Sequence, residues 1–191
     1  MKIEMRSANQ MIVQGYVNAV GRDSRVLTDV KHGSFVEQVT PKTFERAIAR
    51  APDVELRFNH DKVLGSVKNG NLQLKEDNIG LYAVATVSDL DIIACAKRGE
   101  LRGWSFQFVD KKSNWEETSG SIPRRKLEEI ELREVSILTK TPAYVGTSIE
   151  TRGESTEILE QRNTEDSQDK TPDPSIPLKK QTIEILKLKG R

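Results

Sequence analysis

RGWSFQFVD, residues 102–110, is the segment from which the fold prediction starts. Trp104, Phe106 and Phe108 stand at every second position and are separated by polar residues. Because successive side chains of a strand point to opposite faces, this period of two predicts a β-strand with one apolar face in a core. Ser105 then lies on the other face of a rigid element, which suits a nucleophile that has to be held accurately. On this segment alone, an ordinary polar-face serine remains the alternative interpretation.

Strand patterns recur on both sides of this segment. They cover residues 10–20, 33–41, 54–61 and 126–139. Residues 63–89 predict two hairpins, because turn residues at Asn69-Gly70 and around Asn78–Gly80 interrupt the apolar alternation. Residues 1–9 and 21–29 are polar, and we expect a lead-in and a loop there.

Two segments predict helices. After Pro41 the apolar residues recur with the spacing of one helix face, namely Phe44, Ala47, Ile48 and Ala51. Thr40 is the expected N-cap of this helix. A second helix is expected over residues 88–98, where Ser88 begins a capping-box pattern and Gly99 ends the helix.

These elements predict one α+β domain over residues 1–150, built on a largely antiparallel sheet or barrel. Residues 151–175 are rich in Glu, Asp, Thr, Gln and Ser, which predicts a disordered polar linker. Residues 176–191 are basic with several branched apolar residues, and we expect a short docking segment there. A flexible tether of this kind is easily cut, so self-cleavage within the tail is expected.

The composition argues against several classes of function. The 191-residue chain carries a formal net charge of +1, which favours neither nucleic acid nor a membrane surface as partner. No apolar run approaches the roughly 18 residues of a membrane span, and the N-terminus lacks the apolar core of a signal peptide. One cysteine, Cys95, allows no internal disulfide and no paired-cysteine zinc site, as expected in a reducing cytoplasm. We therefore expect neither a metal nor a cofactor.

The chain has two histidines, His32 and His60, so any histidine chemistry must use one of them. His60 follows a strand in LRFNHDKVLG, where an imidazole could act as the general base that a serine hydroxyl needs. The alternative is a hydrogen-bonded turn histidine. His32 lies in a polar loop without apolar neighbours, and we expect it to be solvated.

Glu134 is the candidate for orienting the histidine. On the strand in LREVSILTKTPAY, Glu134 and Ser136 share one face while Val135 faces the apolar side. A carboxylate on the polar face is what the role of third catalytic member needs. Asp61 adjoins His60 but would point away from it on a strand. The alternative for Glu134 is a salt bridge with one of three cations: Arg133, Lys140 or Arg102.

Six segments, taken in order, resemble the prohead proteases of tailed bacteriophages. They are GYVNAV, VTPKTFERAI, NHD followed by LG, GLYAVATVSD, RGELRGWSFQF and LREVSILTKTPAY. The resemblance spans residues 10–150, and its motifs are specific as a set although each is weak alone. Those proteases are similar in fold to the herpesvirus assemblins, so the resemblance implies a small, largely antiparallel β-barrel with flanking helices.

The resemblance also implies roles for three residues. The histidine of the family's Asn-His-Asp segment falls on His60, the expected general base. The serine of its Gly-x-Ser-x-x-Phe segment falls on Ser105, the expected nucleophile. The glutamate before Val-Ser falls on Glu134, the expected third member. Assemblins use a second histidine in that place, but this chain has none after residue 60, so either a carboxylate takes it or the enzyme works with a dyad.

The implied function is that of a serine endopeptidase of bacteriophage head maturation. Its expected substrates are the scaffold protein, the major capsid protein and the protease itself, inside the assembling prohead in the host cytoplasm. A homodimer or higher oligomer is the expected active form, without nucleic acid or membrane partners. One alternative is an inactive homologue that acts in capsid assembly or scaffolding. The other is a Ser-His esterase, against which the absence of a Gly-x-Ser-x-Gly elbow and of βαβ alternation argues.

Overall fold

Strands make up most of the structure, which is a computed structural model that describes residues 1–117, 122–139, 150–151 and 159–161. The strands are β1 (Lys2–Ser7), β2 (Gln10–Ala19), β3 (Leu27–Asp29), β4 (Gly33–Val39), β5 (Glu55–Phe58), β6 (Lys62–Ser66), β7 (Leu72–Glu76), β8 (Gly80–Val87), β9 (Gly103–Glu116), β10 (Arg124–Leu138), β11 (Glu150–Thr151) and β12 (Leu159–Gln161). The helices are α1 (Thr43–Arg50) and α2 (Leu90–Lys97).

The strands form two sheets. The first has four antiparallel strands in the order β1-β2-β8-β7. The second has eight strands, with a main order of β11-β12-β9-β10-β4-β3, and β5 joins β10 with β6 at its outer side. Only β4 and β5 run parallel to their neighbour β10 among the described pairings. The α+β class and the largely antiparallel pairing are therefore confirmed.

The barrel predicted from the resemblance is not seen in the described part of the chain. There, each sheet ends in strands that have one neighbour, such as β1 and β7 in the first sheet. Strand β10 has 15 residues and pairs first with β4 along Arg124–Leu127 and then with β5 along Glu134–Ile137. The second sheet therefore branches at β10 instead of closing on itself. The similarity to the herpesvirus protease fold stays a prediction.

Two segments predicted as irregular are strands. Residues 2–7 form β1 against β2, although only Ile3 and Glu4 in it are even partly buried. Residues 27–29 form β3 against β4 within the predicted loop. Both strands lie at the edges of their sheets. Their sequences show little apolar alternation because an edge strand buries few of its side chains.

The first predicted hairpin is also wrong, whereas the second, β7–β8, is confirmed. A turn does lie at Asn69-Gly70, but β6 before it pairs with β5 and so belongs to the other sheet. The side chain of Asn71 links the two sheets. Its Nδ2 donates to Leu64 O of β6 at 2.9 Å and to Thr86 O of β8 at 3.2 Å. Gly65 leaves the room for this amide, since a Cβ there would lie 2.0 Å from Asn71 Oδ1.

The two predicted helices are present with different caps. Helix α1 has Lys42 at its N-cap, with a left-handed φ of 71° and no side-chain cap, so the predicted Thr40 cap is wrong. Helix α2 is capped by Asp89 instead of Ser88, because the Asp89 carboxylate accepts the first-turn N–H groups. The hydrogen bond from Lys62 and these N–H groups hold the pKa of Asp89 below its ordinary value. Gly99 ends α2 with a φ of 69°, as predicted.

The aromatic residues of β9 form the centre of the core, as their alternation predicts. Trp104, Phe106 and Phe108 are almost completely buried. Phe44 of α1 packs edge-on against Phe106, with ring centroids 5.3 Å apart. Helix α1 is therefore seated on the apolar face of β9 and β10. The apolar residues of β9 and β10 are buried under this helix, and the polar residues of the two strands lie on the opposite face of the sheet.

Candidate active site

Three neighbouring strands bring polar side chains to one place in the second sheet. On β9, β10 and β5, the residues Ser105, Ser136 and Arg57 lie at one level. Two residues along each strand, a second level holds Gln107, Glu134 and Glu55. Residues at one level, and residues two apart on one strand, point to the same face of a sheet. All six therefore lie on one face, and the apolar residues between them lie on the other.

His60 reaches this polar face from a tight turn. Asp61 N–H donates to Phe58 O at 3.0 Å, and both central residues have positive φ, 51° at Asn59 and 62° at His60. Two left-handed residues in succession are typical of a type I′ turn, in which glycine is the usual second residue. A histidine in this position costs on the order of 1 kcal/mol. Such strain is commonly found at functional sites.

Contacts with the end of β10 hold the turn in this conformation. The His60 main-chain N–H donates to Ser136 Oγ at 2.9 Å, and Asn59 N–H donates to Ile137 O at 2.9 Å. The Asn59 side chain bonds the main chain and hydroxyl of Thr139. These bonds fix the backbone of His60 relative to β10, and therefore relative to Ser105 on the next strand.

The His60 ring is bonded to Glu134, and both side chains are buried. Nδ1 of His60 contacts Oε1 of Glu134, while the other oxygen, Oε2, lies 2.8 Å from Arg57 Nε. Nε2 of His60 is buried and has no hydrogen-bond partner among the described residues. When a carboxylate accepts the proton of Nδ1, Nε2 of a neutral imidazole is left as a proton acceptor. The arrangement can therefore supply an oriented general base.

Ser105 lies one strand away from this pair. Its side chain is completely buried on β9, directly opposite Ser136, the residue that bonds the main chain of His60. A peptide cannot touch a hydroxyl with no accessible surface unless the neighbouring groups move. His60 Nε2 makes no hydrogen bond to Ser105, but a serine on a fixed strand and a carboxylate-bound histidine on the same face of the sheet are the components of acyl transfer.

The family model of the caudovirus prohead serine proteases matches residues 1–162 of the chain. The chain belongs to this family. It is therefore a member of a serine peptidase family of bacteriophage capsid maturation, as the sequence resemblance implies. No curated protein and no solved structure matched the chain in the corresponding comparisons.

For this prohead protease family member, the structure sorts the candidate residues. His60 and Glu134 are in contact, and Ser105 lies on the same polar face. His32 lies elsewhere, in the turn between β3 and β4. It is exposed, as predicted, but it does have an apolar neighbour, because its ring stacks on Trp115 with centroids 4.3 Å apart.

Other local predictions also change. Asp61 follows His60 in a turn and not on a strand. The predicted cation partners of Glu134 are wrong or lie outside the described residues, since Arg57 makes this contact and Arg133 pairs with Glu131. Among the described residues, no group of three His, Cys, Asp or Glu side chains could hold a metal ion, and neither described helix could cross a membrane.

Sequence reasoning missed the supporting residues Arg57, Ser136 and Asn59. Arg57 alternates with Leu56 and Phe58, which marks it as a polar-face residue of a buried strand. The alternation of β10 places Ser136 on the face of Glu134, but that position alone predicts no role. The turn signal was weak, because Asn-His lacks the glycine of a typical two-residue turn.

Replacing Ser136 by alanine is expected to destabilise the fold by about 1–3 kcal/mol, because the buried His60 N–H loses its acceptor. Peptidase activity is expected to fall as well, since the left-handed turn loses a support. Urea denaturation and peptide cleavage measure the two effects. Ser24→Ala is the matched control: Ser24 also accepts a buried main-chain N–H, that of Glu37, but far from the site. Equal activity losses in both variants would contradict a specific role for Ser136.

Proposed function

We propose that the chain is a serine endopeptidase in which Ser105 is the nucleophile, His60 the general base and Glu134 the residue that orients the imidazole. The supporting observation is the contact between His60 Nδ1 and Glu134, with Nε2 left unpartnered on the polar face that carries Ser105. A carboxylate-bound imidazole with an available nitrogen is the general base that a serine hydroxyl needs.

In the proposed reaction, Ser105 Oγ forms a bond to the scissile carbonyl carbon and passes its proton to His60 Nε2. The tetrahedral intermediate collapses, the C–N bond breaks, and the leaving amine takes the proton from His60. Water then attacks the acyl carbon and gives a proton to His60 Nε2, the bond between the acyl carbon and Ser105 Oγ breaks, and Oγ takes the proton back. The candidate oxyanion donors are main-chain N–H groups near Ser105 and in residues 140–143, and the latter lie outside the described residues.

The proposed substrates are the scaffold protein, the major capsid protein and the protease itself, inside the prohead in the host cytoplasm. The family description supports action on prohead proteins. We propose a homodimer or higher oligomer as the active form. The predicted linker 151–175 and docking segment 176–191 lie outside the described residues, apart from Thr151 and β12. They remain predictions.

Co-expression with the major capsid and scaffold proteins of the same phage tests this function. The wild type is expected to shorten one or both proteins, as seen by intact mass, and Ser105→Ala is expected to leave them whole. A fluorophosphonate probe should label Ser105 in the wild type. An inactive assembly homologue would give unchanged masses and no labelling, and activity on small esters alone would favour an esterase.

Self-cleavage of the tail is expected just beyond Gln161. Strand β12 pairs antiparallel with β9, and Gln161 lies opposite Gln107, two residues along β9 from Ser105. An extended peptide on this edge therefore carries its next residues towards the nucleophile. Intact mass of purified protein should show a new C-terminus within residues 161–167 in the wild type and the full chain in Ser105→Ala. A wild-type chain that stays whole while it cuts capsid protein would contradict this prediction.

A further inference from the structure

The carboxylate of Glu134 is shared between two partners. One oxygen contacts His60 Nδ1, and the other lies 2.8 Å from Arg57 Nε. The Glu134 side chain is only 3% exposed. A buried carboxylate needs a compensating charge or hydrogen bonds. A neutral imidazole supplies a hydrogen bond but no charge, so the compensating cation beside Glu134 is Arg57.

Arg57 is itself held in place from three directions. Its Nε donates to Oε2 of Glu55 on the same strand at 2.7 Å, and its Nη2 lies 2.6 Å from the same oxygen. Its Nη1 donates to the main-chain oxygens of His60 and Asp61, both at 3.4 Å. The guanidinium therefore holds together β5, the turn at Asn59 and His60, and the Glu134 carboxylate. A planar group with five N–H donors can make all of these contacts at once, whereas an ammonium cannot.

We propose that Arg57 is a positioning residue that keeps Glu134 ionised while His60 is neutral, and thereby sets the lower limit of the pH range in which His60 can accept a proton. This inference rests on the proposed function, in which His60 is the general base. Without Arg57, the buried anion is compensated best by a proton on the imidazole, since histidine binds a proton more readily than a carboxylate does. A protonated His60 cannot take the proton of Ser105.

The other charged groups around His60 do not replace Arg57. Glu55 and Asp61 are anions, so after the loss of Arg57 they favour a protonated imidazole further. Lys62 follows the turn, but its ammonium lies 2.6 Å from the α2 cap, Asp89. Among the described residues, Arg57 is the cation in contact with Glu134.

Kinetics over a range of pH tests the proposal. In Arg57→Gln, kcat is expected to fall about tenfold more at pH 6.5 than at pH 9, with little change in KM. Arg57→Lys keeps the charge, so its loss should be smaller and nearly equal at both pH values. Arg133→Gln is the matched control, since Arg133 precedes Glu134 on β10 but pairs with Glu131 instead. An equal loss at every pH in Arg57→Gln would overturn the proposal and leave a purely structural role.

A second measurement does not depend on catalysis. In a Ser105→Ala background, which cannot cut itself, the imidazole proton resonances of the two histidines can be followed by NMR. His32→Gln assigns them. Adding Arg57→Gln should keep His60 protonated to higher pH, and adding Arg133→Gln should not. An unchanged His60 titration would overturn this inference but not the proposed function. A wild type without Ser105-dependent cleavage would overturn the proposed function, and the NMR result would still decide whether Arg57 controls the protonation of His60.

Discussion

The Ser105→Ala variant is expected to cleave capsid or scaffold protein on the order of 10⁵-fold more slowly than the wild type, because no other group can form the acyl-enzyme. The fold should survive. Alanine fits wherever serine fits, and the apolar face that holds β9 is untouched. Loss of the buried hydroxyl's hydrogen bonding costs about 1 kcal/mol, and such a cost lowers Tm by a few degrees.

Single-turnover cleavage and thermal unfolding, measured on the same preparation, separate loss of chemistry from loss of fold. Ser113→Ala is the matched control, since Ser113 lies on the same strand and bonds the Asp110 side chain at 2.6 Å. It should keep full activity. Wild-type rates in Ser105→Ala would remove Ser105 as the nucleophile, whatever the stability of the variant.

The parts of the fold that depend on local patterns could be predicted from the sequence. The alternation of Trp104, Phe106 and Phe108 predicted β9 and its buried face correctly, because side-chain period and burial are directly linked in a strand. Helix α1 and the β7–β8 hairpin followed from local spacing and turn residues in the same way. Strand pairing between distant segments has no such local signal. The parallel pairing of β4 and β5 to one long β10, which opens the sheet, was therefore missed.

The candidate site was predicted in part, for a similar reason. Resemblance and strand alternation together pointed to Ser105, His60 and Glu134, and alternation gave the correct polar face. The turn at His60 depends on two left-handed residues and on the hydroxyl of Ser136, which is 76 residues away in the chain. The contact of Arg57 with Glu134 depends on the pairing of β5 with β10, which the sequence does not predict. Contacts made across parallel strands are set by register, and the alternation within a strand fixes the face of each residue but not the distant residue that lies opposite it.

Glu134→Gln is expected to lower kcat about 10³- to 10⁴-fold, although the side chain keeps its size. Oε1 of the carboxylate contacts His60 Nδ1 and Oε2 forms an ion pair with Arg57, whereas the amide has one oxygen and one NH₂ group. If the oxygen faces Arg57, the NH₂ group donates to Nδ1 and moves the imidazole proton to Nε2. If the oxygen faces His60, the NH₂ group is set against the half-buried guanidinium, which loses its ion pair with Glu134.

Either orientation impairs the site. When the amide oxygen faces Arg57, the imidazole proton lies on Nε2, so Nε2 can no longer accept the proton of Ser105. Glu131→Gln is the control, because Glu131 lies on the same strand in exposed ion pairs with Lys111 and Arg133. It should cleave at the wild-type rate.

The Glu134→Gln variant also decides between the two mechanisms that the sequence left open. A Glu134→Gln enzyme within tenfold of wild type would mean that Ser105 and His60 work as a dyad, and a loss of three or more orders of magnitude would mean that the carboxylate is the third member. Because Arg57 and His60 compete for the single oxygen of the amide, adding Arg57→Met to Glu134→Gln should restore part of the activity if the first orientation is the one adopted.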